Sequence, residues 1–164
     1  MVKSFADEVW KTVDLNHEKL RNKYDISSYG RIASYREKRE DGKILRGSIV
    51  GGYPVFRYKQ FTRKKGEPVR VRNEQKFVHK MAAENFLASK KTDDRFVIHL
   101  DYNKMNNHAN NLKWATKREM EIHQQSNPTV IKAREERKLR KPYQGMKLNA
   151  KQVLKLKKKI FDPN

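Results

Sequence analysis

The stretch RFVIHLDYNKMNNHANNLKWATKREMEIHQQ, residues 95–125, most constrains what this chain can fold into. An apolar run ends in His99, a long loop rich in Asn and Asp follows, and NLKWAT leads into a polar segment from Lys117 to about Gln125. Short apolar runs bounded by turn residues predict strands, and the polar segment after them predicts a helix. The predicted order is therefore β-loop-β-α.

Length and composition restrict what surrounds this unit. With 164 residues, the chain is expected to form one domain or two small ones around a modest core. No apolar run is long enough to span a bilayer, and the N-terminal MVKSFADEVWKTV lacks the apolar region of a signal peptide. The absence of cysteine excludes disulfides and zinc-thiolate sites, and it agrees with a cytoplasmic protein.

The charge of the chain indicates its partner. Lys and Arg number 39 against 19 Asp and Glu, a formal net charge of +20, which favours a polyanion, either nucleic acid or, less often, an anionic membrane surface. The excess lies in residues 29–76, with fourteen basic and five acidic residues, and in residues 129–164, with twelve and three. The segments 1–28 and 77–128 are nearly neutral. We therefore expect two basic regions beside a neutral centre, with no membrane and no small-molecule substrate as partner.

Three segments follow from this reading: an N-terminal β-rich nucleic-acid-binding module (residues 1–60), a ββα domain (61–126) and a basic helical tail (127–164). The predicted fold class is α+β. In the first segment, Gly30 of SSYGR suits a turn with positive φ, and the alternation in YPVFRYKQF predicts a strand that presents Arg57 and Lys59 to a partner. FVHKMAAENFL, residues 77–87, predicts an amphipathic helix.

The basic tail contains two helix-start signals. Asn127 is placed as an N-cap with Pro128 in the first helical position, and Pro142 is expected to end that helix. Asn149 with Gln152 three residues later resembles a capping box for a second helix. Lysines share one side of that helix, which suits contact with phosphate.

Four stretches resemble the HNH, or ββα-metal, endonuclease family in its phage and intron-encoded homing form. VHKMAAENF resembles the helix before the motif, HLDYNKMNNHANNLKWAT the strand-loop-strand, EVWKTV with YDISSYGRI the N-terminal module, and GMKLNAKQVLKLKKKI the first helix of a DNA-binding repeat. The resemblance implies an HNH-like core and hydrolysis of a phosphodiester with one divalent cation. In that family a histidine at the end of the first strand is the general base, and His99 matches it. Asn111 matches the asparagine that fixes the loop.

The family's metal-ligand positions match poorly. Ile98 precedes the base and Met120 stands on the following helix, where the family has side chains that bind the ion. A hard cation takes oxygen ligands, which a butyl group and a thioether cannot supply. We therefore predict a degenerate member that is not an enzyme and has no cofactor, with His99 and Asn111 vestigial. A displaced site formed by Asp101 and His123 stays open as an alternative.

Two functions remain after this prediction. The first is a non-catalytic RNA-binding protein on an HNH scaffold, because the HQQSNPTVIKAREERK junction resembles HNH-related proteins in Bacteroidetes, one of which we take to be a ribosomal protein of the large subunit. Its partners would be rRNA and neighbouring ribosomal proteins. The alternative is a metal-dependent homing endonuclease that cuts or nicks DNA with Mg²⁺ or Mn²⁺. A regulatory DNA-binding protein is a third possibility.

The candidate contacts to nucleic acid are mostly cations of the two basic regions. Without a metal, His99 would be a core or phosphate-contact histidine. His79 is expected to be a helix-terminus or packing residue, and Trp10 and Trp114 are expected to be core anchors. The predicted contact residues are Arg31, Arg36, Lys38, Arg39, Arg57, Lys59, Arg63, Lys64, Lys65, Arg70, Arg72, His108, Lys132, Arg134, Arg137, Lys138, Arg140, Lys141, Lys147, Lys151, Lys155 and Lys158.

Overall fold

The fold is described by a computed structural model for residues 1–15, 20, 22–62, 68, 70–88, 91–139 and 148–161. The chain divides into two compact units, residues 1–124 and residues 125–164. The boundary between the two units lies close to residue 127, the predicted start of the tail. Several predictions concern residues outside the described ranges: Arg63, Lys64, Lys65, Arg140, Lys141, Pro142 and Lys147.

The first unit begins with a four-stranded antiparallel sheet in the order β1-β2-β3-β4. Its strands are β1 (Trp10–Thr12), β2 (Lys23–Ser27), β3 (Ile32–Tyr35) and β4 (Lys43–Leu45). The turn between β2 and β3 contains Gly30 at φ +72°, which confirms the predicted positive φ. Because this region favours residues without a Cβ, glycine permits a turn of this tightness.

A second, three-stranded antiparallel sheet follows in the order β5-β6-β7. Its strands are β5 (Ser48–Val50), β6 (Tyr53–Thr62) and β7 (Arg70–Phe77). The segment boundary drawn between residues 60 and 61 therefore falls inside a strand, because β6 continues to Thr62 and pairs there with Arg70.

The outer half of the β6-β7 hairpin carries exposed cations on both faces. Lys59 lies opposite Asn73, whereas Arg72 lies opposite Gln60. Since opposite residues share a face and successive residues alternate, Arg57 and Lys59 occupy one face, and Arg70 and Arg72 the other. All four residues are exposed. We call these four residues and the two strands that carry them the basic ribbon.

The ββα unit forms where the sequence predicts it. Its elements are β8 (Phe96–His99), β9 (Leu112–Ala115) and α2 (Lys117–Gln125), and α1 (Val78–Phe86) precedes them. β8 and β9 are antiparallel, and His99 lies opposite Leu112. The start of α2 is a capping box: Thr116 Oγ1 accepts from Glu119 N at 3.2 Å, and Glu119 Oε2 accepts from Thr116 N at 2.8 Å.

One core joins the sheets of the first unit. Ile26 of β2, Phe56 of β6, Met81 of α1 and Leu112 of β9 belong to the same buried cluster, and none of them is more than 4% exposed. Burial of a side chain of this size stabilises the fold by about 1.5–3 kcal/mol. The ββα unit is therefore packed on the preceding sheets through α1, and the loop after β8 has a fixed platform.

The second unit contributes two helices, α3 (Pro128–Leu139) and α4 (Ala150–Phe161). Asn127 Oδ1 accepts from Thr129 N at 2.9 Å, as expected of an N-cap. Asn149 and Gln152 exchange hydrogen bonds of 2.9 Å each, which confirms the predicted capping box. No helix in the described ranges is long and apolar enough to cross a membrane.

Candidate active site and nucleic-acid interface

His99 is buried at the end of β8 with one nitrogen assigned as a donor. Its Nε2 lies 3.1 Å from Asn107 Oδ1, and Asn107 Nδ2 donates to the Met105 carbonyl at 3.2 Å. Because that carbonyl can only accept, the Asn107 amide is oriented with its oxygen towards His99, and Nε2 of His99 must carry the proton. Nδ1 is then the unprotonated nitrogen.

Burial keeps His99 neutral. It lowers the pKa of the imidazole from the ordinary 6.5, and the hydrogen bond to Asn107 only partly opposes this effect. At neutral pH, His99 is therefore an uncharged imidazole that can take up a proton at Nδ1. A general base needs this protonation state.

Aromatic rings surround His99 on the side of α1. The ring centroids of His79 and His99 are 5.2 Å apart, and Tyr53 lies 4.9 Å from His79 and 5.9 Å from His99. Burial, followed by the nearby charges of His99 and Lys80, lowers the pKa of His79 to about 4. His79 thus packs as a neutral ring in the first turn of α1, and its contact with His99 did not follow from the sequence.

The loop after His99 is held by one carboxylate. Asp101 accepts hydrogen bonds from Asn103 N at 2.8 Å, Asn106 Nδ2 at 2.7 Å and Asn111 Nδ2 at 2.8 Å. Asn111 also accepts from Asp101 N at 3.0 Å and donates to the Asn106 carbonyl at 2.8 Å. The structure therefore places Asn111 where a loop-fixing asparagine is needed.

The Asp101 carboxylate is expected to keep the loop after His99 ordered. Burial opposes the shift, but hydrogen bonds from Asn106 and Asn111 hold the pKa of Asp101 below its ordinary 3.8. Because the folded-state pKa is the lower one, loop stabilisation is present above pH 3.8 and is lost as the pH falls through the folded value. Asp101→Asn is expected to remove hydrogen-exchange protection from residues 103–111 already at neutral pH.

The matched control is Asp93→Asn, because Asp93 is exposed in the connection between α1 and β8. This variant should leave loop protection at the wild-type level. Unchanged protection in Asp101→Asn would contradict the anchoring role of the carboxylate.

A ring stack connects the loop to α2. Tyr102 has φ 60°, a backbone conformation that side chains rarely adopt, and its ring stacks on His123 at 4.2 Å with an interplanar angle of 11°. His123 Nε2 donates to the His99 carbonyl at 2.8 Å. These contacts offset the unfavourable backbone of Tyr102 and fasten the end of β8 to the helix.

Two predicted phosphate contacts are committed to internal ion pairs. Arg31 lies 2.8 Å from the buried carboxylate of Glu8, and Arg39 lies 3.1 Å from Asp25. Both guanidinium groups also lie over the ring of Trp10, at 5.6 and 5.4 Å from its centroid. Such pairs stabilise the N-terminal sheet. The ring of Trp10 therefore contacts two cations.

The other predicted contacts within the described ranges differ in exposure. His108 is half-buried, and its Nδ1 accepts from Asn110 N at 3.1 Å. The exposed cations are Arg36, Lys38, Arg57, Lys59, Arg70 and Arg72 in the first unit, Lys132, Arg134, Arg137 and Lys138 on α3, and Lys151, Lys155 and Lys158 on α4.

Comparisons with known proteins agree with this arrangement. The family model described as the NUMOD4 motif matches residues 8–59. An uncharacterized HNH endonuclease of Acanthamoeba polyphaga mimivirus is 28% identical over 128 residues, which are 77% of this chain and 28% of that protein. Over most of its length the chain is similar to an HNH endonuclease. The chain spans little more than a quarter of the viral relative's own length.

A solved structure is similar as well. The chain in "DNA binding and cleavage by the HNH homing endonuclease I-HmuI" is 24% identical, with a TM-score of 0.49 over 79% of this chain and 66% of that one. The predicted α+β fold class is confirmed by the strands and helices described above, which include the predicted β-loop-β-α order.

The prediction that this chain is not an enzyme is wrong. It rested on Ile98 and Met120 alone, whereas the relative matched over 77% of the chain is an HNH endonuclease. The structure explains why those two residues were too narrow a basis. Asn107 hydrogen-bonds buried His99, and Asp101 hydrogen-bonds Asn111, and neither contact involves Ile98 or Met120.

The residues at the family's two metal-ligand positions do not fit a divalent cation. Ile98 and Met120 offer no oxygen or imidazole. In the displaced alternative, Asp101 accepts hydrogen bonds from loop asparagines and His123 Nε2 donates to the His99 carbonyl. Metal ligands commonly make such outer hydrogen bonds, so the displaced site stays a prediction. Within the described ranges no group of three or more His, Cys, Asp or Glu side chains could hold a metal ion.

Proposed function

We propose that this HNH-family chain is a DNA endonuclease that holds its substrate with exposed basic residues and uses His99 as the general base. The observation that carries the proposal is the neutral, buried His99 with its protonated nitrogen fixed by Asn107. The relative named as an HNH endonuclease favours this alternative over the ribosomal one.

The chain's own residues account for the proton transfer. Nδ1 of His99 takes a proton from water, the resulting hydroxide attacks the phosphorus, and the bond from phosphorus to the leaving oxygen breaks. That oxygen is protonated by solvent, and His99 returns its proton to solvent. Because the loop is already fixed by Asp101, little reorganisation is needed at the moment of reaction.

The shape of the basic ribbon suits binding in the major groove of duplex DNA. A two-stranded ribbon is narrow enough to enter the major groove, and cations on both of its faces can reach the phosphates on the two sides. The exposed lysines and arginines of α3 and α4 add positive charge in the second unit. The cytoplasmic location expected from the sequence stays a prediction.

The test is a nicking assay on supercoiled plasmid at low salt, with Mg²⁺, Mn²⁺ or EDTA, alongside competition between duplex DNA and structured RNA of equal length. Conversion of the plasmid to the nicked circle supports the proposal, and the EDTA arm measures whether an ion is required. The proposal would be overturned if the protein bound RNA in preference to DNA and left the plasmid uncut under all three conditions.

A further inference from the structure

The turn between β2 and β3 contacts the loop that follows His99. Ala109 N donates to the Ser28 carbonyl at 2.7 Å, and the rings of Tyr29 and His108 meet edge to face with centroids 4.4 Å apart. At Gly30 the approach is closer still. A Cβ added there would lie 2.5 Å from Asn107 Cβ and 2.9 Å from the Asn107 carbonyl oxygen.

The turn itself is rigidly built. Ser27 is fully buried, and its Oγ accepts from Arg31 N at 3.0 Å and Tyr29 N at 3.3 Å. Ser28 is tied to the N-terminal segment by two hydrogen bonds with Val9, of 2.8 and 3.1 Å. Because these hydrogen bonds fix the turn independently of the loop, the turn offers a rigid surface against which the loop packs.

Asn107 is the loop residue that packs against the turn at Gly30. It is 5% exposed, and its side-chain oxygen is the partner of His99 Nε2. A displacement of Asn107 would therefore move the acceptor that selects which nitrogen of His99 carries the proton. The turn belongs to the segment matched by the NUMOD4 motif, so that segment and the ββα unit meet at the base.

We propose that Gly30 is a positioning residue of the active site: the Ser28–Gly30 turn holds Asn107 in place, and Asn107 holds His99. The proposal rests on the proposed function in that it takes His99 as the base. It assigns to the N-terminal module a part in building the active site through direct contact with the loop.

The chain offers a matched pair of substitutions. Gly30→Ala and Gly51→Ala both place a side chain at positive φ, +72° and +59°, so both carry a similar backbone penalty. Only the first meets Asn107, because a Cβ at Gly51 has nothing within 4 Å. A difference between the two variants therefore reports the contact rather than the strain.

The first measurement is independent of cleavage. In ¹⁵N-labelled protein, the His99 Nε2–H resonance should persist in the wild type and in Gly51→Ala. In Gly30→Ala it should move or exchange rapidly with water, as it should in Asn107→Ala. If Gly30→Ala gives no folded spectrum, Tyr29→Leu, which removes the ring against His108 without backbone strain, should shift the same resonance.

The second measurement is the nicking rate. Misplacement of a catalytic group by about 1 Å can cost on the order of 10²-fold, so a loss of that size is expected in Gly30→Ala and not in Gly51→Ala. An unchanged His99 resonance in both Gly30→Ala and Tyr29→Leu, or equal changes in the two glycine variants, would overturn the proposal. Absence of nicking in the wild type would instead count against the proposed function, while the resonance still decides the positioning role.

Discussion

Replacement of His99 by alanine is expected to reduce the rate of plasmid nicking by about 10²- to 10⁴-fold, the range that a general base contributes. The variant loses the neutral imidazole that accepts the proton of the attacking water. It keeps the basic ribbon, so DNA affinity should change little. The nicking rate and the dissociation constant, measured on the same plasmid fragment, separate these two effects.

Asn110→Ala is the matched control for this substitution. Asn110 lies in the same loop with its side chain exposed, and its hydrogen bond to His108 Nδ1 comes from the backbone N, which alanine keeps. Its removal should leave most of the nicking rate in place. If the two alanine variants cut equally well, His99 is not the base.

The pH profile gives an independent check of the same role. Since burial lowers the pKa of His99 from 6.5, the base stays unprotonated until the solution is more acidic than that value. The nicking rate should therefore be level across neutral pH and fall only below pH 6.5. A fall centred above 6.5 would place the titrating group elsewhere.

The elements of the candidate site could be predicted because they depend on local patterns. The apolar run before His99, the polar loop and NLKWAT gave β8 and β9 with the correct order, and α2 ends at Gln125 as expected. Gly30 and the two helix caps of the second unit followed from residue types whose backbone or side-chain geometry is specific. Such signals lie within a few residues of the structure they specify.

The contacts that build the site could not be predicted in the same way. Asn107 is one of several asparagines in the loop, and nothing in its neighbourhood indicates that it meets Gly30 and His99. Arg31 and Arg39 were counted as phosphate contacts because they lie in a basic segment, whereas Glu8 and Asp25 neutralise them in the fold. The choice of a distant partner depends on the packing of whole sheets.

The apolar residues at the metal positions show a related limit. Ile98 and Met120 follow directly from the sequence, and their chemistry was judged correctly as unsuited to a hard cation. The step from missing ligands to missing activity was the error, because His99 is held by Asn107 and the loop by Asp101 without either ligand position. A family motif thus contains parts that are separable in the structure.

Loss of the basic ribbon is expected to lower DNA affinity and to flatten its dependence on salt. With six to ten phosphate contacts, the affinity of the wild type should fall by roughly 10³- to 10⁵-fold between about 50 and 200 mM salt. Each lost contact should reduce the salt slope by about 1. Arg57→Gln with Lys59→Gln removes one face of the ribbon, and Arg70→Gln with Arg72→Gln removes the other.

The two double variants distinguish a ribbon inserted between phosphate backbones from one lying flat on the duplex. Insertion predicts that either pair lowers the slope by about 2, whereas flat binding predicts an effect from one pair only. The control for the charge change is Lys80→Gln with Lys91→Gln, two exposed lysines outside the ribbon. If this control lowers the slope as much as the ribbon variants do, net charge rather than the ribbon determines binding, and the proposed interface is wrong.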